Sequence, residues 1–149
     1  MTKVLVFDTE TSGLIPRNTQ INDETIKNLP YIIQLAWILY DSETGQQVEK
    51  DFIFKIPIHI RPELTNIHGI TNEMSRLGVC ISEIINEFLK DVRNSDVLVG
   101  HNINFDLNML DIELYRLNKD KDSNILFSKN VFDTMLISKN ILKLPNKYG

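Results

Sequence analysis

The sequence has a single cysteine, Cys80, and lacks the features of secreted or membrane proteins. One cysteine excludes an internal disulfide and a zinc site built from cysteines, and we predict that Cys80 is a small buried apolar residue. Apolar runs such as 31–40, which Gln34 interrupts, fall far short of the about 20 residues that a membrane span needs. No signal-peptide pattern precedes the first apolar run. These absences predict an intracellular protein without a membrane partner.

Positive charge is also scarce. The 149 residues include 16 Lys and Arg against 20 Asp and Glu, a formal net charge of −4. A protein that coats nucleic acid through bulk electrostatics needs a basic face, so this balance disfavours that kind of binding. An enzyme can still hold a strand end through metal ions in a local cleft. The charge therefore limits the mode of binding and leaves the class of substrate open.

The remaining composition is that of a folded chain, with 42% apolar and 24% charged residues. Its length suits one domain, which we place at 1–149. Hydrophobic periodicity predicts strands at 4–8, 31–41, 48–56, 96–100 and 131–132, and helices near 82–93, 104–118 and 134–142. The first strand is apolar on both faces, which predicts burial on both sides, and the polar loop 16–30 is long enough to act as a lid. The order of elements predicts an α/β fold with a mixed sheet.

Two acidic residues, Asp8 and Glu10, stand at the end of the first predicted strand. In an extended chain their side chains leave the same face, with α-carbons about 6.6 Å apart. Like charges so close raise each other's pKa or require a cation, and carboxylate oxygens suit Mg²⁺ or Mn²⁺. An Asp-x-Glu triplet that opens a polar loop is more often solvated surface, and the pair alone favours that alternative.

The surrounding residues change this balance. Segment 4–14 reads V-L-V-F-D-T-E-T-S-G-L and resembles the first motif of the DEDD-type 3′→5′ exonucleases, the ribonuclease H-like family that includes the proofreading epsilon subunit of bacterial DNA polymerase III. By this resemblance Asp8 and Glu10 hold two catalytic Mg²⁺ or Mn²⁺ ions. The resemblance also implies that Thr11 to Leu14 line the pocket for the terminal nucleotide, with Gly13 allowing a close approach of the backbone.

A second segment, 97–110, reads V-L-V-G-H-N-I-N-F-D-L-N-M-L and is similar to the second motif of the family. It implies that Asp106 is the third metal-binding carboxylate and that Asn102 and Phe105 contact the substrate. Ligands collect at the carboxyl ends of parallel strands, where these residues would lie. The alternative for Asp106 is stabilisation of a helix N-terminus, worth about 0.3–1 kcal/mol. We expect His101 to position the helix start through hydrogen bonds.

Segment 67–71, I-H-G-I-T, resembles a further stretch of the family and implies that His68 touches the strand near its 3′ end. A lone histidine in a loop is more often structural or solvent-exposed. Asp133 matches the end of the fifth family strand, and we expect it to act as a helix cap or a buried hydrogen-bond acceptor.

The resemblance fails in one place. Members of the family carry a third motif, H-x-x-x-x-D or Y-x-x-x-D, and nothing after Asp133 matches it, because Tyr148 is followed only by Gly149. We therefore expect a ribonuclease H-like sheet of five strands flanked by helices, truncated at the C-terminus, with its final helices missing. We also expect the 149-residue chain alone to be inactive or nearly so.

The function implied by the resemblance is metal-dependent hydrolysis of nucleic acid from a 3′ end, with DNA favoured, to nucleoside 5′-monophosphates, in proofreading or processing. The implied partners are a single-stranded 3′ end and either a DNA polymerase or a C-terminal complementing segment. The alternative is an inactive exonuclease fragment that binds nucleic acid or protein. A structural Ca²⁺ domain is disfavoured, because the sequence has no D-x-[DN]-x-[DN]-G loop.

Overall fold

One mixed sheet of five strands organises the chain in the computed structural model, which describes residues 2–143. The strand order is β3-β2-β1-β4-β5, where the strands are β1 (Lys3–Thr11), β2 (Ile32–Asp41), β3 (Gln47–Ile53), β4 (Val97–Gly100) and β5 (Asn130–Asp133). The first three strands pair antiparallel, while β1, β4 and β5 run parallel. The predicted α/β fold with a mixed five-stranded sheet is confirmed.

Six α-helices connect and flank these strands. They are α1 (Pro62–His68), α2 (Asn72–Arg76), α3 (Ile81–Asn94), α4 (Ile103–Arg116), α5 (Ser123–Phe127) and α6 (Thr134–Leu142). The three longer helices agree with the predicted ones to within two residues at each end. None of the helices within residues 2–143 has the length and apolar character needed to cross a bilayer. The sequence expectation about Tyr148 concerns a residue outside this described part.

The main core lies on one face of the sheet, where α3 and α4 pack, and Ile33, Ile60 and Ile70 form a second, smaller buried cluster. Trp37 and Phe7 of the sheet meet Phe88 of α3 edge to face, with ring centroids 5.2 Å and 5.5 Å away. The prediction that β1 is buried on both faces is wrong for the described residues, since Val6 on the other face is 40% exposed. The reason is that the helices that form the main core, α3 and α4, both cover the side of β1 that carries Leu5 and Phe7.

Two smaller predictions also need correction. Cys80 is exposed, because it precedes the first residue of α3 and the buried stripe of that helix begins later, at Ile84. The loop predicted as a lid is held down in its second half, where the guanidinium of Arg116 donates hydrogen bonds to the carbonyls of Leu29 (2.5 Å) and Pro30 (2.7 Å). That half of the loop is a fixed connection into β2.

Candidate active site

The predicted carboxylates gather at the carboxyl end of β1. Asp8 lies opposite Ala36 and Glu10 opposite Gln34 in the antiparallel pairing with β2, so both acidic residues belong to one face of the strand. Burial raises the pKa of Asp8, against smaller lowering effects from the Thr9 backbone N–H and the charge of His101. Burial and the charge of Asp8 together raise the pKa of Glu10. The two carboxylates therefore share one electrostatic environment.

Asp106 joins them from the first turn of α4. Its side chain is buried, and burial raises its pKa to about 7, with further increases from the charges of Asp8 and Glu10. The hydroxyl of Thr9 donates a hydrogen bond of 2.5 Å to Asp106 Oδ1, and this bond lowers the pKa of Asp106. The charges of Asp8 and Glu10 thus oppose the ionisation of Asp106 at one end of the sheet.

A divalent cation would relieve this repulsion, and carboxylate oxygens are the ligands that Mg²⁺ and Mn²⁺ prefer. Asp8, Glu10 and Asp106 are the predicted ligands of such an ion, but within residues 2–143 no group of three or more Asp, Glu, His or Cys side chains is arranged so that it could hold a metal ion. The fit of the site to a cation therefore rests on the effect of the Asp8 and Glu10 charges on Asp106 and on the chemistry of the carboxylate oxygens.

The start of α4 is fixed by contacts from the end of β5. Asn102 adopts a left-handed conformation with φ of 55°, and its backbone N–H donates to Asp133 Oδ1 at 2.9 Å. The same oxygen accepts the Met135 N–H at 2.9 Å and caps α6, so the predicted role of Asp133 is confirmed. His101 Nδ1 lies 3.1 Å from Thr134 Oγ1, the kind of hydrogen bond expected of a positioning residue. These bonds fix the entry of the helix that carries Asp106.

A groove of about 350 Å³ opens beside the carboxylates. Its lining residues are Thr9, Glu10, Thr11, Gly13, Leu14, Arg61, Leu64, Ile67, His68 and Phe105. The structure therefore brings five of the six residues predicted to contact substrate together with a predicted metal ligand. Asn102 is the exception, because its place at the left-handed entry of α4 leaves it outside this lining.

Sequence reasoning missed the wall of the groove formed by α1 and the residue before it. Arg61, Leu64 and His68 recur at intervals of three and four residues, the spacing that places side chains on one face of a helix. That periodicity was visible in the sequence. The periodicity does not predict which other element this helix face meets, because α1 and β1 are brought to one groove only when the chain folds.

The ring of His68, in the α1 wall of the groove, has one nitrogen with a hydrogen-bond partner and one without. Its Nδ1 accepts the Ile70 backbone N–H at 3.1 Å, and burial lowers its pKa, so the neutral ring carries its proton on Nε2. That Nε2 atom is buried and has no hydrogen-bond partner among the described residues. An unpartnered donor at a groove is a feature that a ligand oxygen would satisfy.

The strand order and the flanking helices are those of the ribonuclease H-like fold. The family model described as Exonuclease (RNase_T) matches residues 5–148. The chain belongs to this exonuclease family, whose members are hydrolases. The recognition made from the two motifs is thereby confirmed.

Relatives and solved structures agree with this family. The chain is 32% identical over 139 residues to the DNA polymerase III subunit epsilon of Rickettsia prowazekii, covering 92% of this chain and 55% of that protein. It is 31% identical over 140 residues to the PolC-type DNA polymerase III of Thermotoga petrophila, covering 94% of this chain and 9% of that protein. The chain thus spans about half the length of its epsilon relatives and a small part of the PolC-type ones.

Among solved structures, Escherichia coli exonuclease I in complex with a dT13 oligonucleotide matches with a TM-score of 0.73 and 19% identity, covering 99% of this chain and 31% of that one. The exonuclease I of Methylocaldum szegediense matches with a TM-score of 0.69 and 21% identity, covering 96% and 30%. At these identities the likeness concerns the fold.

Proposed function

We propose that this chain forms the metal-binding and strand-binding part of a 3′→5′ exonuclease that hydrolyses phosphodiester bonds in single-stranded nucleic acid, with DNA favoured. Its products are nucleoside 5′-monophosphates. The observation that carries this proposal is that the charges of Asp8 and Glu10 raise the pKa of the buried Asp106, at a site beside a groove open to solvent that Glu10 lines. A buried carboxylate whose pKa is raised by neighbouring carboxylates is typical of functional sites.

The metal of the proposed reaction is Mg²⁺ or Mn²⁺, held by Asp8, Glu10 and Asp106. When bound, such ions stabilise charge on the phosphate and on the leaving oxygen and make an attacking water more acidic. The residues of this chain contribute position. The Thr9 hydroxyl fixes the Asp106 carboxylate, and β1 sets the spacing of the other two oxygen donors.

The groove supplies the surface for the strand end. Leu14 is 84% exposed at its rim and offers an apolar contact for a base, while the neutral His68 offers its Nε2–H to an oxygen of the nucleotide. Thr11 and Gly13 line the same groove. The oligonucleotide complex of exonuclease I, which shares this fold, supports a single-stranded DNA substrate. Association with a DNA polymerase is supported by the names of the epsilon and PolC-type relatives.

A second candidate function is a binding module that holds a strand end without efficient hydrolysis. The observation in its favour is that, within residues 2–143, Asp8, Glu10 and Asp106 are the three carboxylates proposed for the metal site. Three carboxylates contribute a charge of about −3 toward two dications, so the second ion is held weakly. Metal-supported binding with slow hydrolysis is the behaviour this candidate predicts.

One experiment separates the two candidates. A single-stranded oligonucleotide labelled at its 3′ end is incubated with the purified chain and Mg²⁺ or Mn²⁺, and both binding and release of mononucleotide are measured. Asp8→Asn removes a proposed ligand, while Asp96→Asn is a matched control at the opposite end of the parallel strands, where Asp96 accepts only the Lys3 N–H.

Metal-dependent release that Asp8→Asn abolishes and Asp96→Asn preserves is the result expected for an exonuclease. Metal-dependent binding without release identifies the binding module. Neither binding nor release, with either metal, contradicts both candidates.

A further inference from the structure

Among residues 2–143, Arg61 is the only lysine or arginine that lines the groove. It is exposed and stands immediately before α1, on the wall that also carries His68. Five other basic side chains of the described residues form ion pairs with carboxylates, namely Lys27, Lys50, Arg76, Arg93 and Arg116. Arg61 forms none within residues 2–143, although Glu10 lines the same groove. Its guanidinium is therefore available to an anion that enters from solvent.

The charge of the groove creates a need for such a cation. A nucleic acid strand carries one negative charge per phosphate, while the carboxylates of Asp8, Glu10 and Asp106 repel it. A metal ion held by these carboxylates would offset the phosphate beside it, but not the phosphates further along the strand. A guanidinium is planar, permanently charged and able to donate two parallel hydrogen bonds to a phosphate.

We propose that Arg61 binds a backbone phosphate of the single-stranded substrate other than the one at the carboxylates, and so favours a strand over a single nucleotide. This inference rests on the proposed function. The reacting phosphate must lie against the carboxylates, and an arginine near it would pair with them. Arg61 pairs with none of them in the described structure, so its phosphate is a different one. The Nε2–H of His68 is a second donor on the same wall.

The test measures binding without hydrolysis. The probes are a fluorescent oligothymidylate of about eight nucleotides and thymidine 5′-monophosphate, both in EDTA, over about 50 to 200 mM salt. We expect Arg61→Gln to weaken binding of the oligonucleotide about tenfold at the lowest salt. It should also reduce the slope of log K against log salt by about 0.7, the value for one phosphate of a single strand. Arg61→Lys keeps the charge and should retain the slope.

The matched control is Arg76→Gln, since Arg76 is also exposed but lies on α2, outside the groove lining, with Glu73 at 3.6 Å. It should leave the affinity for the oligonucleotide unchanged, and Arg61→Gln should leave the affinity for the mononucleotide unchanged. An unchanged salt slope in Arg61→Gln, an equal loss of mononucleotide binding, or no oligonucleotide binding by the wild type would overturn the inference. An active exonuclease with normal binding in Arg61→Gln would contradict only this inference, while binding through Arg61 without release of mononucleotide would contradict only the catalytic proposal.

Discussion

Two buried carboxylates on α4 differ in the charges and hydrogen-bond donors that surround them. Asp106 and Glu113 are each 3% exposed, and they lie seven residues apart, two turns of the helix, on the same face. Glu113 Oε1 accepts the Ile32 N–H at 2.8 Å and a guanidinium N–H of Arg116 at 3.0 Å. Asp106 receives a neutral hydroxyl from Thr9 and faces two like charges. Glu113 is therefore paired with a positive charge, whereas Asp106 is repelled by neighbouring negative charges.

The pKa effects follow the same division. Burial raises the pKa of both acids, but the charge of Arg116 and the hydrogen bonds lower that of Glu113, whereas the charges around Asp106 raise it further. Arg116 also stacks on Tyr31 at 3.7 Å, so the Glu113 cluster ties α4 to the start of β2. The charges that surround a buried carboxylate, more than its burial, therefore separate a structural acid from a functional one.

The largest expected effect is on the free energy of unfolding when each acid is removed in turn. Glu113→Ala leaves Arg116 without its counter-charge and the Ile32 N–H without its acceptor, so we expect a loss of about 3–5 kcal/mol in the free energy of unfolding. Asp106→Asn removes a repelled charge and keeps an oxygen for the Thr9 hydroxyl. At pH 8, the free energy of unfolding of Asp106→Asn, measured with urea, should equal that of the wild type or exceed it by about 1 kcal/mol.

Asp96→Asn, at the far end of β4, serves as the control for a surface carboxylate and should change the stability by less than about 0.5 kcal/mol. A larger loss in Asp106→Asn than in Glu113→Ala would reverse the assignment of the structural and the functional acid.

The second prediction concerns pH in the metal-free protein. The pKa of Asp106 is raised from 3.8 to about 7, so between these values the folded state holds a proton that the unfolded chain has lost. The stability from this group is fully present below about pH 4 and is lost as the pH rises through about 7. After an allowance for solvent screening, we expect the free energy of unfolding in EDTA to fall by about 2 kcal/mol between pH 5 and pH 8.

Asp106→Asn should flatten most of that slope, and saturating Mn²⁺ should raise the stability at pH 8, because the ion binds the ionised folded form. An equally steep slope in Asp106→Asn would show that other groups carry the pH dependence.

The third and smallest effect sharpens the role of Thr9. Its hydroxyl donates the side-chain hydrogen bond to Asp106, and this bond lowers the pKa of that carboxyl. Thr9→Val removes that donor at nearly constant volume, so we expect a loss of about 1 kcal/mol in stability and a further rise in the pKa of Asp106. The onset of Mn²⁺ binding should then move to higher pH. Thr9→Ser keeps the hydroxyl and should restore the wild-type onset, whereas a defect shared by Thr9→Ser would indicate lost packing of the methyl group.

Much of this arrangement follows from local sequence. The two-residue period of a strand predicts that Asp8 and Glu10 share a face, and the helix start within the second motif predicts the place of Asp106. The order of strands and helices predicts the mixed sheet. Each of these features depends on residues that are close in the chain, which is why periodicity is enough to find them.

The features that escaped prediction depend on distant contacts. Arg61 reaches the groove because α1 docks beside β1, and Arg116 fixes the loop because the end of α4 meets residues that lie far earlier in the chain. The exposure of Val6 depends on which face of the sheet the two long helices cover. No local sequence pattern predicts which elements pack together, so the positions of Arg61 and Arg116 and the exposure of Val6 are known only from the structure.

The metal site can be tested by measuring Mn²⁺ binding, by calorimetry or by paramagnetic broadening, in the wild type, Asp106→Asn and Glu113→Gln. Glu113→Gln is the matched control, because it changes an equally buried carboxyl on the same helix face. We expect the wild type and Glu113→Gln to bind Mn²⁺ with similar affinity at pH 8, and Asp106→Asn to bind at least about tenfold more weakly. Equal affinity in Asp106→Asn and the wild type, or no Mn²⁺ binding by the wild type, would contradict a metal site built from Asp8, Glu10 and Asp106.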